Sequence, residues 1–216
     1  MVELAEISRC VQSGKAKDVE ALVSLAIEEQ YSPKEILEDG LLSGMRSIGE
    51  RFKKNEVFVP EVLIASRAMH MGFAILKPII RSSDVQYKGV VVIGTVKGDL
   101  HNIGKNLVAM MMEGAGLKVV DLGTDVSHEK FVEEAIIHKA DILACSALLT
   151  TTMMQMKTVI QAVTAAGLRE KLKIMVGGAP VTENFCRSVG ADVYTPDAAT
   201  AAEQALALCS KKRIKK

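Results

Sequence analysis

Apolar residues keep helical spacing up to about residue 80, then collect into short β-branched runs separated by further helical stretches. Leu4, Ile7 and Val11 share one helical face, and Val19, Leu22, Val23, Leu25 and Ala26 repeat the pattern. Ser32-Pro33-Lys34-Glu35 then joins an N-cap serine, a proline at the first helical position and a glutamate that can reach back to the cap. It predicts a helix carrying Ile36, Leu37, Leu41, Met45, Ile48 and Phe52. After the polar break at Lys53-Lys54-Asn55, Pro60 opens another, with Val62, Leu63, Ala65, Met69, Gly72, Ile75 and Ile79. Four helices on short connections predict a small bundle over residues 1–86. The polar, aperiodic stretch 83–88 reads as a linker.

From Gly89 the pattern alternates. Strand-like runs at 89–96, 117–122, 141–146, 173–176 and 192–194 are interleaved with helical runs at 102–113, 127–138, 152–166, 181–189 and 198–209. Right-handed βαβ units of this kind build a parallel sheet, and strands apolar on both faces fit one covered on both sides. The expectation for residues 87–216 is a Rossmann-like (flavodoxin-like), doubly wound, five-stranded domain of the α/β class.

Composition removes several function classes. Of 216 residues, 49% are hydrophobic, and 27 basic residues offset 26 acidic ones, leaving a net charge of +1. That excludes extensive disorder and any strong field for nucleic acid or anionic membrane. The basic run Lys211–Lys216 reads as a solvated end. No uninterrupted apolar run is long enough to span a bilayer, and the acidic start is unlike a signal peptide. Cys10, Cys145, Cys186 and Cys209 form no paired motif, which fits free thiols in a reducing cytoplasm. Tryptophan is absent and aromatics reach only 4%, so a base-stacking platform is not indicated.

In a doubly wound sheet, ligands bind beyond the carboxyl ends of the strands. The first such loop, Lys97-Gly98-Asp99-Leu100-His101-Asn102-Ile103-Gly104, lacks both GxGxxG and a phosphate-binding P-loop. It does place an acid two residues before a histidine. In an extended loop both side chains point the same way, so Asp99 could accept the Nδ1–H of His101 and leave Nε2 free as a ligand or base. The spacing equally suits a surface histidine beside an N-capping acid. The later loops, Ser146 to Thr152, Gly177-Gly178-Ala179-Pro180 and Tyr194 to Ala198, are rich in small and hydroxyl residues. They suit a slot for a long ligand.

Asp99-x-His101-x-x-Gly104, then Ser146-x-Leu148, then Gly177-Gly178 resemble, in that order, the signature of cobalamin-binding domains in methionine synthase and in corrinoid proteins of anaerobic methyltransferase systems. Phe52, Val59 and Val62 resemble the residues with which the helical cap of methionine synthase covers the corrin. The likeness spans nearly the whole chain. The sequence departs from it at Thr152, where methionine synthase has a serine, and at Val59 in place of a leucine.

The resemblance implies that His101 binds cobalt from below and displaces the cofactor's own base, whose nucleotide tail enters the sheet. Gly104 would let the tail pass and Ser146 would bind its base beside Leu148. Gly177 and Gly178 would admit its ribose and phosphate. Asp99 and Thr152 would hold His101 and handle its proton. Gly98, Asn102, Ile103, Thr150, Tyr194 and Asp197 complete the expected cofactor-binding set, with Asp99, His101 and Thr152 as the reactive group. The implied function is a methyl carrier with methylcobalamin as intermediate, a corrinoid subunit that relies on partner enzymes for catalysis. A substrate-specific methyltransferase for methylamine, betaine, methanol or an aryl methyl ether would load it. A second methyltransferase would pass the methyl to a thiol or tetrahydrofolate, and a reductive activase would rescue oxidised cobalt. A cobalamin-binding sensor or an adenosylcobalamin mutase subunit is the alternative. His70, His128 and His138, the methionines at 110–112, 153, 154 and 156, and solvated Lys53, Lys54 and Lys105 read as structural.

Overall fold

The computed structural model describes residues 2–79 and 87–214. The chain divides into two compact units, Met1–Tyr87 with Gly114–Gly116, and Lys88–Glu113 with Leu117–Lys216. Residues 83–86 of the expected linker lie outside the described residues.

In the first unit, α1 (Leu4–Gln12), α2 (Ala16–Glu28), the single turn α3 (Pro33–Glu35), α4 (Leu42–Lys53) and α5 (Val59–Leu76) follow one another. Helix α2 packs on α5 and α1 on α4. Ser32 and Glu35 form the reciprocal cap that the sequence predicts. The helix expected to run unbroken from there is interrupted by a π-turn, Ile36–Leu41. Ile36, Leu37, Gly40 and Leu41 turn inward, as do Leu42, Met45 and Ile48 after the turn. The π-turn takes an extra residue and so shifts the register of the helix that follows. Gly40 fits there because Ile7 lies 3.2 Å from where a β-carbon would stand. Helix α5 is long and apolar enough to cross a membrane. However, it carries Glu61 and Arg67 and buries Val62, Ala65, Ala68, Met69 and Leu76, as a core helix does. Ile79 falls beyond its end.

The second unit is a parallel sheet in the order β2-β1-β3-β4-β5, formed by β1 (Val90–Thr95), β2 (Lys118–Asp121), β3 (Ile142–Ser146), β4 (Lys173–Gly177) and β5 (Val193–Tyr194). The intervening helices are α6 (Ile103–Gly114), α7 (His128–Ile137), α8 (Gln155–Ala165) and α9 (Glu183–Val189), and α10 (Ala198–Ile214) closes the chain. Strand order reverses at β1: β2 lies on one side and β3 on the other. Right-handed crossovers therefore send α6 to one face and α7, α8 and α9 to the other. Val92, Val96, Leu143, Cys145, Ile174 and Val176 meet Phe131, Met156, Val159, Val163 and Cys186 in the core of that second face. The alternate residues Val91, Ile93, Ile142, Ala144 and Met175 are buried as well, so both faces are covered.

Three boundaries in the sheet unit differ from expectation by two residues or more. Helix α8 starts at Gln155 rather than Thr152, because residues 149–154 are held in turns with Thr152 donating to Leu149 O. Helix α9 starts at Glu183, where Thr182 caps it through the Phe185 N–H. Helix α10 runs on to Ile214, past the expected end at Cys209.

Candidate functional site

The reversal at β1 opens the sheet between the carboxyl ends of β1 and β3, where their loops leave towards opposite faces. Register places Thr95 beside Ser146, and Ser146 beside Gly177, in one row at that edge. The loop after β1 turns at Gly98, which adopts φ +80°. It brings Asp99 over the edge, fully buried.

There Asp99 joins the two loops. Its Oδ1 accepts His101 Nδ1–H at 2.7 Å and the His101 backbone N–H at 3.1 Å. Its Oδ2 accepts the Thr152 hydroxyl at 2.7 Å and the backbone N–H groups of Leu148 at 2.8 Å and Leu149 at 3.3 Å. The Asp99–His101–Thr152 set expected from sequence is thus assembled, with threonine bonding where a serine would. Thr95, fully buried, adds a bond from its hydroxyl to His101 O at 2.9 Å. Sequence reasoning missed it, because a threonine ending a β-branched run looks like any other strand residue.

Burial alone would raise the Asp99 pKa, but the bonds from Thr152, Leu148 and His101 outweigh it and hold the carboxyl well below the usual carboxylate range. Asp99 therefore stays ionised and acts only as an acceptor. The proton in the Asp99–His101 bond sits on His101 Nδ1, which directs the lone pair of Nε2 outwards.

A depressed carboxylate pKa gives stability that is full above the unfolded value and lost as pH falls towards the folded one. Asp99→Asn should lower stability at neutral pH by about 2 kcal/mol, the scale of charge-assisted bonds lost from a buried site. The gap to wild type should shrink below about pH 4, where the unfolded carboxyl protonates. Urea melts across that range check this; a gap that is constant with pH contradicts it.

The side chain of His101 is half exposed. Around it, Leu100 (73% exposed), Ile103 (77%), Leu148 (43%) and Leu149 (41%) leave apolar surface open to solvent. Ile103 and Leu148 were expected at the site; Leu100 and Leu149 were not, although a leucine inside a polar loop is a visible signal. Gly104 has nothing within 4 Å of its missing β-carbon, so the start of α6 is open. Asn102 precedes α6, its carbonyl accepting the Asn106 N–H at 2.8 Å. Thr150 is exposed in the turn after β3, and Ser146 is half-buried.

Other expected residues have internal roles. At Gly178, φ is +132° and a β-carbon would lie 1.8 Å from Ala147 O. This glycine is required by the protein's own backbone, where the β3 and β4 loops cross. Gly177 is open by comparison, its nearest neighbour being Thr195 O at 3.7 Å. Asp197 caps α10, accepting the Thr200 N–H and hydroxyl, each at 2.8 Å. Tyr194 lies half-buried in β5. In the helical unit Phe52 and Val59 are half-buried, whereas Val62 is fully enclosed in this conformation.

Lys105 departs from the expectation of a solvated side chain. It is not solvated but 2% exposed, paired with Asp121 and bonded to Asn106 Oδ1 at 2.7 Å. Met111, Met112 and Met156 are buried, as core methionines should be, but Met154 is 52% exposed. His70 Nδ1 lies 2.8 Å from Ser66 O on its own helix. His138 pairs with Glu134 at 3.1 Å.

No cluster of three or more potential metal-ligating side chains occurs among the described residues. A lone imidazole with a fixed tautomer and an apolar surround does not build a metal site from protein alone. It suits one ligand to a metal whose other positions are filled by donors from elsewhere. The fold and site together define a doubly wound ligand-binding domain with one oriented histidine at the carboxyl edge of its sheet.

Comparison with known proteins agrees. A B12 binding domain model matches residues 89–207, and a second B12 binding domain model matches residues 3–77. The trimethylamine corrinoid protein 1 of Methanosarcina acetivorans is 44% identical over 83% of this chain and 88% of its own. The dimethylamine corrinoid protein of Methanosarcina barkeri is 41% identical over 94% of this chain and 95% of its own. The crystal structure of the methanol:cobalamin methyltransferase complex from Methanosarcina barkeri superposes with a TM-score of 0.88 at 31% identity, covering 94% of this chain and 78% of that one. The chain belongs to the family of B12-binding corrinoid proteins.

Proposed function

We propose that this chain is a corrinoid methyl carrier, loaded by a substrate-specific methyltransferase. The observation that carries the reading is the His101 imidazole, tied at Nδ1 to an ionised Asp99 and unpartnered at Nε2. When bound, cobalamin supplies a cobalt centre that takes a methyl group from one protein and yields it to another. The chain's own residues do the rest. His101 Nε2 would supply the protein's nitrogen ligand to the metal. Asp99 and Thr152 fix its tautomer and keep the proton on Nδ1. Leu100, Ile103, Leu148 and Leu149 shed water when a corrin covers them. The opening at Gly104 and the row Ser146–Gly177 receive the nucleotide tail, with Asn102, Thr150 and Tyr194 along the way.

On this reading, residues 1–86 form a cap domain and 87–216 the cobalamin-binding domain. Phe52, Val59 and Val62 form the shield over the upper face. The cap moves aside for each transfer. A second methyltransferase, acting on a thiol or tetrahydrofolate, unloads the carrier in the cytoplasm, and a reductive activase restores oxidised cobalt. Both methyltransferases need the same upper face, so they exclude each other.

The test is to reduce the holoprotein and offer it, in turn, methylamine, betaine, methanol and aryl-ether methyltransferases with their substrates. Spectral conversion to the methylated form by one of them is expected. Holoprotein that no such enzyme methylates would favour the sensor or mutase reading. Separately, Phe52→Ala should leave cobalamin affinity nearly intact and speed photolysis of the methylated holoprotein several-fold. Decay at the wild-type rate would remove Phe52 from the cap.

A further inference from the structure

Asp125 stands four residues beyond β2, at φ +54°. Glycine is the usual occupant of that backbone region, and aspartate tolerates it at some cost. Its carboxylate has a use that accounts for its presence. Oδ1 accepts the Gly98 N–H at 2.8 Å, and the Asp125 N–H in return donates to Asp99 O at 2.9 Å. Lys97 Nζ lies 3.2 Å from the same carboxylate. The segment around Asp125 is itself pinned to the sheet: Thr95 N–H donates to Gly123 O and Val126 N–H to Thr95 O, each at 3.0 Å. Gly98, with no side chain and a left-handed φ, has no intrinsic preference for the orientation that its N–H adopts. Something outside the loop must hold it, and the peptide it holds leads directly into Asp99.

We propose that Asp125 is a positioning residue for His101. It fixes the Lys97–Asp99 turn from the β2 side while Thr152 and the Leu148 and Leu149 N–H groups fix Asp99 from the β3 side. The proposal rests on His101 being the axial ligand of cobalt. Lys97 is secondary, because an ion pair this exposed contributes little.

The test compares wild type with Asp125→Gly, Asp125→Asn and Lys97→Ala. Glycine suits φ +54° but removes the acceptor; asparagine suits it and keeps one. Proton NMR of the apoprotein reads the His101 Nδ1–H bonded to Asp99. EPR of the cobalt(II) holoprotein reads ligand nitrogen on the metal. Asp125→Gly should broaden or lose the Nδ1–H signal and lower the ratio of histidine-on to histidine-off cobalt by about tenfold, the lower end for a lost outer-shell partner. Asp125→Asn should recover most of both, and Lys97→Ala should match wild type. Spectra are recorded well below each variant's melting transition, so a modest loss of stability does not obscure them. Asp125→Gly matching wild type in both readouts overturns the proposal, and so does Asp125→Asn as impaired as Asp125→Gly. Wild-type holoprotein without a nitrogen ligand would instead sink the carrier reading; the apoprotein signal tests the Asp125 brace either way.

Discussion

His101→Ala is expected to retain cobalamin yet lose the nitrogen ligand to cobalt. The variant deletes the side chain whose Nε2 is presented beside the exposed apolar surface, and it leaves untouched the carboxyl edge of the sheet, proposed above to seat the nucleotide tail. Thr95, Ser146 and Gly177 stay in register, because backbone pairing holds them. Asp99 keeps its bonds from Thr152, Leu148 and Leu149 after losing the ring N–H, so the loop should remain in place. Apoprotein stability should change by no more than about 1 kcal/mol, since the ring is half exposed and gives up one bond. Cobalt content after desalting should stay near the wild-type level, while the EPR spectrum of cobalt(II) should lose its protein-nitrogen splitting completely. An unchanged spectrum would take His101 out of its assigned place.

Gly178→Ala should be among the most damaging single substitutions in the sheet unit. The added carbon would fall 1.8 Å from the Ala147 carbonyl oxygen, which is backbone and cannot rotate away. The loops after β3 and β4 would have to part, breaking the Ala147 N–H bond to Gly177 O. Overpacking and an unfavourable φ together suggest a loss of about 3 kcal/mol or more. For a chain of this size that is a fall in Tm of roughly 6–12 °C. Thermal unfolding of the apoprotein checks it without cofactor. A Tm within about 2 °C of wild type would show that the crossing is not as tight as described.

The alternation of strands and helices was legible because each strand is a short β-branched run and each helix keeps its period. What periodicity could not show was the π-turn at Ile36–Leu41, whose buried positions keep ordinary helical spacing. Nor could it place the start of α8. Thr152 has ordinary helical character and is held out of the helix by a carboxylate 53 residues away. At the site, the two-residue spacing of Asp99 and His101 allowed their bond but equally a surface histidine beside a capping acid, and only the structure shows the bond. Long-range bonds left weaker traces. Thr95, Asp125 and the Leu148 and Leu149 N–H groups act through backbone geometry that only the fold creates. Lys105 misled for a related reason: its partner, Asp121, lies on a neighbouring strand, and a lysine is read as solvated unless such a partner is known. Gly178 matched the expected motif, yet its own backbone requires it.

The central claim is that His101 is the axial ligand of a cobalamin bound at the carboxyl edge of the sheet. The most direct measurement is to reconstitute the protein with hydroxocobalamin, desalt it, assay cobalt, and record low-temperature EPR of the cobalt(II) state. The account predicts about one cobalt per chain, as one binding domain requires, with splitting from a single protein nitrogen. Loss of cobalt on desalting, or retained cobalt showing no protein nitrogen, would contradict it.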